Sequence, residues 1–172
     1  RIVVIMNDNA SKVMTMREST TEQPNFFIRD LDKGTLTQFT DFPHPAPGFV
    51  GVKKEQISYQ RKDGVELTGT LYLPPNYTPD QGKLPVLMWA YPLEYKDKAV
   101  ASQVTDSPYE FVNVNYWGPM AHLAQGFAIF DDPKMPIIGS GDNLPNDSFR
   151  SHLVDSAESA VNVLVEKGIA DP

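Results

Sequence analysis

A long amphipathic helix is predicted at the C-terminal end of this sequence, over residues 146–172. Apolar side chains recur there at spacings of three and four, which places them on one helix face: Phe149, Leu153, Ala157, Ala160, Val161 and Leu164. Asp147 is predicted to cap the start, and Gly168 stands where a helix end favours a left-handed residue. Because a further strand is expected just past Pro172, we expect the sequence to be a piece of a longer protein.

Two short apolar runs before this helix are typical of strands that are covered on both faces. In chain order, the predicted elements are a hairpin from 55–60 and 65–73, an apolar strand at 84–91, a long loop at 92–116, a short helix at 119–125, an apolar strand at 127–130 and the terminal helix. This order predicts an α/β fold with a mostly parallel sheet.

The first 40 residues have a different pattern, of short strands joined by tight turns. A strand is predicted at 12–18, and strands at 25–30 and 35–39 form a hairpin about Asp32-Lys33-Gly34. A hairpin this short is unstable alone, so we expect it to belong to a larger all-β array and to expose 25–30 as an edge.

A proline-rich segment separates these two patterns. Residues 41–48 contain three prolines, which predicts a stiff linker over 41–54 and a domain boundary there. The sequence is therefore predicted to contain an all-β part at 1–40 and an α/β part at 55–172.

Composition excludes several functions. The net charge of −7 and the lack of any run of Lys or Arg make nucleic acid an improbable partner, so none is predicted. No apolar stretch reaches the roughly 20 residues that a membrane helix needs, so no membrane partner is predicted either. The absence of cysteine excludes disulfides, thiolate catalysis and Cys-ligated metal. The compartment stays open, with a periplasmic or secreted location favoured for a bacterial source.

Several short motifs, in a consistent order, carry a family resemblance. They are 59–68 (YQRKDGVELT), 71–75 (LYLPP), 89–92 (WAYP), 136–142 (PIIGSGD) and 168–172 (GIADP). Together they resemble the prolyl oligopeptidase family of serine peptidases, and most closely its glutamyl endopeptidase branch.

The resemblance implies an architecture and a reaction. Family members join a seven-bladed β-propeller to an α/β-hydrolase domain, so 1–40 would be the end of the propeller and 55–172 the first part of the hydrolase domain. They cleave peptide bonds with a Ser-Asp-His triad whose serine lies in a Gly-x-Ser-x-Gly elbow. The whole triad is then expected beyond Pro172, and this 172-residue chain is expected to be inactive.

Tyr91 is the residue to which the resemblance assigns a catalytic role. In this family, a tyrosine just past the third hydrolase strand donates its hydroxyl to the oxyanion of the tetrahedral intermediate. Tyr91 ends the apolar run 84–91, at the strand edge where open α/β sheets place their ligands. From the residues alone, a tyrosine that caps a buried strand is the alternative. Pro92-Leu93-Glu94 follow it, where many relatives have a glycine-rich turn.

The three histidines, His44, His122 and His152, are predicted to have surface or packing roles. They show no metal-ligand spacing, and no cysteine is present to complete a site. Neither a metal nor a cofactor is predicted.

Three further polar residues are also predicted to have structural or surface roles rather than catalytic ones. Ser140 lies in Gly139-Ser140-Gly141, which lacks the spacing of a nucleophile elbow and the third glycine of a phosphate loop, so a loop role is predicted. Asp142, in a loop that the resemblance places near the substrate entrance, is predicted to be structural. Arg150 could meet a substrate glutamate, but it is predicted to be a solvated helix charge.

The leading hypothesis is a serine peptidase that hydrolyses peptides by acyl transfer, with cleavage after glutamate as the branch suggests. One alternative is an α/β-hydrolase esterase, and another is a non-catalytic propeller and hydrolase-like module that binds a partner. Because the strand 84–91 is expected to lack its neighbour on one side, the chain is predicted to self-associate through that edge.

Overall fold

The structure is a computed structural model that describes residues 1–101 and 107–171, and strands make up most of its regular elements. The chain divides into two compact units. The first contains Arg1–Val50 and Tyr109–Asn113, and the second contains Gly51–Pro108 and Val114–Pro172.

The first unit contains a four-stranded antiparallel sheet whose strands are neighbours both in sequence and in space. They are β1 (Ile2–Ile5), β2 (Lys12–Arg17), β3 (Asn25–Asp30) and β4 (Thr35–Gln38), in the order β1-β2-β3-β4. The predicted hairpin of β3 and β4 is confirmed. The predicted exposed edge at 25–30 is wrong, because β2 pairs with β3 along its whole length, from Lys12 opposite Asp30 to Arg17 opposite Asn25.

A distant segment, Tyr109–Asn113, packs within this first unit. The Phe111 N–H donates to the Glu18 carboxylate over 3.1 Å, and the Phe111 ring lies edge-on to His44 with centroids 5.0 Å apart. These residues belong to the stretch that the sequence predicted as part of a long loop.

The second unit carries a four-stranded sheet in the order β5-β6-β9-β7 and a separate parallel pair, β8 with β10. In chain order, its strands and α-helices are β5 (Lys53–Gln60), β6 (Glu66–Leu73), β7 (Val86–Trp89), β8 (Pro92–Tyr95), α1 (Lys98–Ala101), β9 (Ala128–Asp131), β10 (Met135–Ile138) and α2 (Phe149–Glu166). Short 3₁₀ helices lie at Pro79–Gln81, Pro119–Gln125 and Pro145–Ser148, and another lies in the first unit at Pro47–Phe49. The short helix predicted at 119–125 is therefore confirmed as a 3₁₀ helix.

The sheet of the second unit is mixed rather than mostly parallel. The predicted hairpin of β5 and β6 is confirmed, and β6 pairs antiparallel with β9. β9 then pairs parallel with β7, as the two apolar runs predicted. The prediction of a mostly parallel sheet is wrong for the described chain, because the hairpin strand β6, and not another parallel strand, occupies the second side of β9.

β9 is covered on both faces, whereas β7 is not. Ala128, Ile129 and Phe130 are 0% exposed, but Trp89 at the end of β7 is 55% exposed. β7 is the edge of its sheet, and next to it Ala170 forms a parallel bridge with Leu84. The prediction that 84–91 is covered on both faces is therefore wrong, because Val86, Leu87 and Met88 are only partly buried and Trp89 is exposed.

The region predicted as a long loop at 92–116 contains regular structure. β8 begins directly at Pro92 and pairs with β10, and α1 follows it. β10, which overlaps the motif at 136–142, was not predicted as a strand. The part of the predicted loop from 102 to 106 lies outside the described residues.

α2 packs against β10 and β5, and it ends before Gly168, which has the predicted left-handed conformation with a φ of 72°. Its buried face is centred on Ser156, Ala160 and Leu164, at 0%, 0% and 2% exposure, whereas Phe149 and Val161 from the predicted stripe are 37% and 46% exposed. Neither α1 nor α2 is long and apolar enough to cross a membrane.

The start of α2 differs from the prediction. Its N-cap residue is Ser148, and no side chain caps it. Asp147 instead accepts a hydrogen bond from the Leu144 N–H over 3.0 Å. That bond closes the preceding 3₁₀ turn, so the predicted capping of α2 by Asp147 is wrong.

A buried arginine explains why α2 turns a serine toward the core. The Arg61 side chain is 0% exposed, and it forms a bidentate pair with Asp63 at 2.9 and 3.0 Å. Its remaining terminal nitrogen donates to the Pro136 carbonyl over 2.8 Å and to Ser156 Oγ over 3.2 Å. Arg61 thus joins the hairpin turn to β10 and α2, and Ser156 is buried because it supplies an acceptor to this guanidinium.

Candidate functional site

The candidate site lies where β7 and β9 end. Because the two strands are parallel, with Trp89 opposite Asp131, their carboxyl ends lie side by side. The chains continue into β8 and β10, which are again parallel, with Pro92 opposite Met135. Between these pairs lie five residues, here called the strand junction: Ala90, Tyr91, Asp132, Pro133 and Lys134. Ligands of open α/β sheets bind at such carboxyl ends.

Tyr91 projects from this strand junction into solvent. It is 74% exposed, and its hydroxyl has no hydrogen-bond partner among the described residues. Trp89 and Leu93, two positions away on either side, are also exposed, at 55% and 49%. A phenol is a neutral donor at pH 7, so a hydroxyl held here can donate a hydrogen bond to a developing negative charge without a change of its own charge. Its assignment as the oxyanion donor stays a prediction.

The backbone around Tyr91 is held by strands on both sides. Only Ala90 separates Tyr91 from β7, and β8 begins at the next residue, Pro92. Pro92-Leu93-Glu94, which follow Tyr91, thus belong to a strand that pairs with β10.

Asp132 lies in the other connection of the strand junction from Tyr91 and has an unusual backbone. Its φ is 47°, in the left-handed region that few residues other than glycine adopt. Its N–H donates to the Trp89 carbonyl over 2.8 Å, which extends the ladder between β7 and β9 by one residue. Its carboxylate contacts Lys134 Nζ at 2.5 Å.

Two buried aromatic side chains, Tyr59 and Phe130, lie near the strand junction. Tyr59 and Phe130 have ring centroids 6.1 Å apart, and a Cβ on Gly69 would lie 2.6 Å from the Phe130 ring. Glycine at position 69 is therefore required for the close approach of Phe130 to β6. The Tyr59 hydroxyl is buried without a hydrogen-bond partner among the described residues. Burial raises the pKa of Tyr59, and the nearby Asp132 carboxylate raises it further.

A cavity of about 410 Å³ lies at the carboxyl ends of β8 and β10 and brings together Ser140, His152 and Asp63. These residues do not form a catalytic triad. Nδ1 of His152 accepts the Ile138 N–H over 3.2 Å, and Arg61 holds the Asp63 carboxylate in its bidentate pair. No carboxylate therefore orients the imidazole toward the serine. Burial, with a smaller effect of Arg61, lowers the pKa of His152, so this ring is neutral at pH 7.

The other sequence candidates have local roles. Ser140 pairs with Asn143 through two backbone hydrogen bonds of 3.2 and 3.0 Å, which form a tight turn, and Asp142 is exposed in it. Nδ1 of His44 accepts the Ala46 N–H, and His122 contacts Gln125. Within residues 1–101 and 107–171, no group of His, Asp and Glu side chains is arranged to hold a metal ion. Arg150 is exposed on α2.

Neither Asp132 nor Arg61 was predicted from the sequence to be a site residue. For Asp132, the available signal was an acidic residue between an apolar run and Pro133, because Asp tolerates the left-handed region better than most residues. For Arg61, the signal was an aspartate two positions later, in the predicted turn.

Two curated plant proteins are similar to almost the whole chain. Each is described as "Probable glutamyl endopeptidase, chloroplastic". The one from Oryza sativa subsp. japonica is 45% identical over 99% of this chain and 19% of its own length. The one from Arabidopsis thaliana is 44% identical over 99% of this chain and 19% of its own length. The chain thus spans about a fifth of these relatives. No protein-family model matches it.

Solved structures of peptidases share the fold at low sequence identity. The AtxE2 isopeptidase has a TM-score of 0.58 and 16% identity, over 96% of this chain and 25% of its own. A prolyl endopeptidase has a TM-score of 0.57 and 16% identity, over 97% and 23%. A post-proline cleaving enzyme from Rickettsia typhi has a TM-score of 0.54 and 17% identity, over 94% and 22%. By sequence, the chain is similar to a segment of larger proteins described as glutamyl endopeptidases, and by fold it is similar to part of several peptidases of known structure.

Proposed function

We propose that this chain is part of a serine peptidase that hydrolyses peptide bonds by acyl transfer, after glutamate residues. The observation that carries the proposal is the position of Tyr91, exposed at the carboxyl ends of the parallel strands β7 and β9. The similarity to proteins named as glutamyl endopeptidases supports the same reaction and the glutamate preference.

In this proposal, the two units belong to different domains of the full-length protein. The antiparallel sheet at 1–40 is the end of a β-propeller, 41–54 is a linker, and 55–172 is the first part of an α/β-hydrolase domain. The four-stranded meander of β1 to β4 supports the first assignment, since propeller blades are four-stranded antiparallel sheets. The order β5-β6-β9-β7, with an antiparallel hairpin before a parallel pair, supports the second.

The chemical role proposed for Tyr91 is stabilisation of the transition state. A nucleophilic serine from elsewhere in the full-length protein attacks the scissile carbonyl, and the carbonyl oxygen becomes an oxyanion. The Tyr91 hydroxyl donates a hydrogen bond to that oxygen, with a backbone N–H beside the nucleophile as the second donor. Because β7 and β8 hold the backbone on both sides, the donor is positioned before the reaction starts.

The 172-residue chain alone is expected to have no peptidase or esterase activity. It contains no Gly-x-Ser-x-Gly segment, and an oxyanion donor without a nucleophile provides no acyl-enzyme route. A chromogenic peptide and a chromogenic ester, each incubated with the purified chain, test this directly. Turnover that a serine-directed inhibitor abolishes would contradict the expectation.

The full-length protein tests the proposed reaction. Peptides that contain a single glutamate are digested, and the products are mapped by mass spectrometry; cleavage after the glutamate supports the proposal. A matched peptide with glutamine at that position controls for the need for charge. Turnover of esters without peptides would favour the esterase alternative. Tight peptide binding without any turnover would favour the non-catalytic module.

We also propose that the isolated chain self-associates through the outer edge of β7, strand against strand between two copies. The Pro85 and Trp89 carbonyls face β9, so alternation turns the backbone groups of Val86 and Met88 toward the open edge. The Leu84 N–H, on that same outer side, donates to the Ile169 carbonyl over 2.8 Å. Beside this edge lies a cavity of about 530 Å³ with the apolar side chains of Val86, Met88 and Leu164 in its wall.

Light scattering across a dilution series is expected to show a concentration-dependent dimer or larger species. In the associated form, hydrogen exchange should protect the amides of Val86 and Met88, whereas those of Leu87 and Trp89 are protected at every concentration by β9. Met88→Pro removes one outward donor and should weaken association without loss of the β9 ladder. A strictly monomeric chain at high micromolar concentration would refute the proposal.

A further inference from the structure

The two sides of the strand junction differ in length. Trp89 pairs with Asp131 before the junction, and Pro92 pairs with Met135 after it. Two residues therefore lie on the Tyr91 side and three lie on the Asp132 side. The extra residue lies between two ladders, but its effect should resemble that of a β-bulge, in which one extra residue bends a strand and changes the direction of nearby side chains.

Asp132 is the residue at which this extra length is absorbed. Its left-handed φ of 47° is unfavourable for most side chains, and Pro133 after it favours extended backbone at this position. The conformation is nevertheless held, because the Asp132 N–H donates to the Trp89 carbonyl over 2.8 Å. That bond fixes the end of β7 two residues before Tyr91.

Contacts of Asp132 and Lys134 connect this part of the strand junction to β6. Its carboxylate contacts Lys134 Nζ at 2.5 Å, and the Lys134 N–H donates to the Thr68 carbonyl of β6 over 2.8 Å. The Tyr59 hydroxyl is buried without a hydrogen-bond partner among the described residues, and it lies near enough to the Asp132 carboxylate for that charge to raise its pKa. The junction is thus anchored to β6 on one side and to the end of β7 on the other.

We propose that Asp132 is a positioning residue, whose left-handed backbone bends the strand junction and sets the direction in which Tyr91 presents its hydroxyl. The proposal rests on the proposed function, in which Tyr91 is the oxyanion donor. Asp132 does not contact the substrate in this scheme. It acts through the backbone bond to Trp89.

The substitutions that test it differ in their tolerance of left-handed backbone. In the full-length protein, Asp132→Ala is expected to lower kcat about 10-fold with little change in KM, because alanine disfavours this φ. Asp132→Asn and Asp132→Gly tolerate it and should keep kcat within about threefold of the parent. If the alanine variant does not fold, Asp132→Ser makes the same comparison. Asp32→Ala, at an exposed hairpin turn, is the matched acid-to-alanine control.

A double-variant cycle with Tyr91→Phe separates positioning from general stability. If Asp132 acts through Tyr91, Asp132→Ala should change kcat less than twofold once the Tyr91 hydroxyl is gone. A full 10-fold loss in that background, or equal losses for alanine, asparagine and glycine, would overturn the proposal. If Tyr91→Phe alone left kcat unchanged, the failure would instead be that of the proposed function.

Discussion

Tyr91→Phe in the full-length protein is expected to lower kcat by roughly 10²- to 10³-fold while KM changes little. An oxyanion donor acts on charge that exists only in the transition state, so its loss leaves substrate binding almost intact. The size corresponds to about 3 to 4 kcal/mol of transition-state stabilisation, which is typical for removal of one such donor. Steady-state kinetics on a peptide with one cleavage site, at saturating and at low substrate, give the two constants separately.

The exposure of Tyr91 makes this substitution a clean test. At 74% exposure, and with no hydroxyl partner among the described residues, the loss of one oxygen atom should not alter the fold. Tyr116→Phe is the matched control, since Tyr116 is 84% exposed and has no assigned role. The assignment of Tyr91 is wrong if both variants keep a near-normal kcat, or if the Tyr91 variant loses activity only through a higher KM.

The sequence predicted the elements whose side chains reveal them locally. The β5–β6 hairpin, β9 and the end of α2 at Gly168 were read from alternation, an apolar run and a left-handed residue, and the structure confirms them. Tyr91 was reached through family resemblance. Its position after an apolar run agreed with that assignment but allowed a capping role equally well.

The elements that the sequence missed depend on distant partners. β8 contains a proline and a glutamate in four residues, and nothing in its pattern indicates a strand. It is a strand because β10, about 40 residues later, supplies parallel hydrogen bonds. The left-handed backbone at Asp132 likewise lies where the two paired connections differ in length. Neither fact can be read from one segment alone.

The choice of the buried face of α2 also depends on a distant partner. Periodicity placed Phe149 and Val161 on the buried face, since both are large and apolar. Hydrophobicity cannot show that Arg61 is buried and needs an acceptor from the helix, which Ser156 provides. This buried polar contact therefore helps to determine which face of α2 is buried, although Arg61 lies more than 80 residues before the helix in sequence.

That contact leads to a second large effect, on stability. Asp63→Ala is expected to destabilise the chain by about 3 kcal/mol, because it leaves the fully buried Arg61 charge without its carboxylate. The value is at the low end for such a loss, since Asp63 is 33% exposed and water can reach part of the space that it leaves. Arg61→Met should cost less, because it removes the buried charge together with its need for a partner.

The pair also predicts how stability depends on pH. The hydrogen bond from Arg61 lowers the pKa of Asp63 from 3.8 to about 2, although the desolvation of the carboxylate opposes this effect. A lowered carboxyl pKa means that the unfolded chain binds more protons, so this contribution is complete above pH 4 and is lost as the pH falls toward 2. The pKa of His152 is lowered from 6.5. As the pH falls below about 6.5, this ring is protonated in the unfolded chain before it is protonated in the folded one, so stability begins to fall there, at a higher pH than the loss due to Asp63.

Urea unfolding of the chain and its variants, repeated between pH 7 and pH 2, measures both expectations. Asp63→Ala should reduce the loss of stability between pH 4 and pH 2 but keep the loss that begins near pH 6.5. Lys62→Met is the matched control in the same turn, because the exposed Lys62 pairs with Asp155 and such an exposed pair should contribute little to stability. If Asp63→Ala and Lys62→Met proved equally mild, Arg61 would not depend on Asp63, and the buried pair would not be what holds the hairpin turn to β10 and α2.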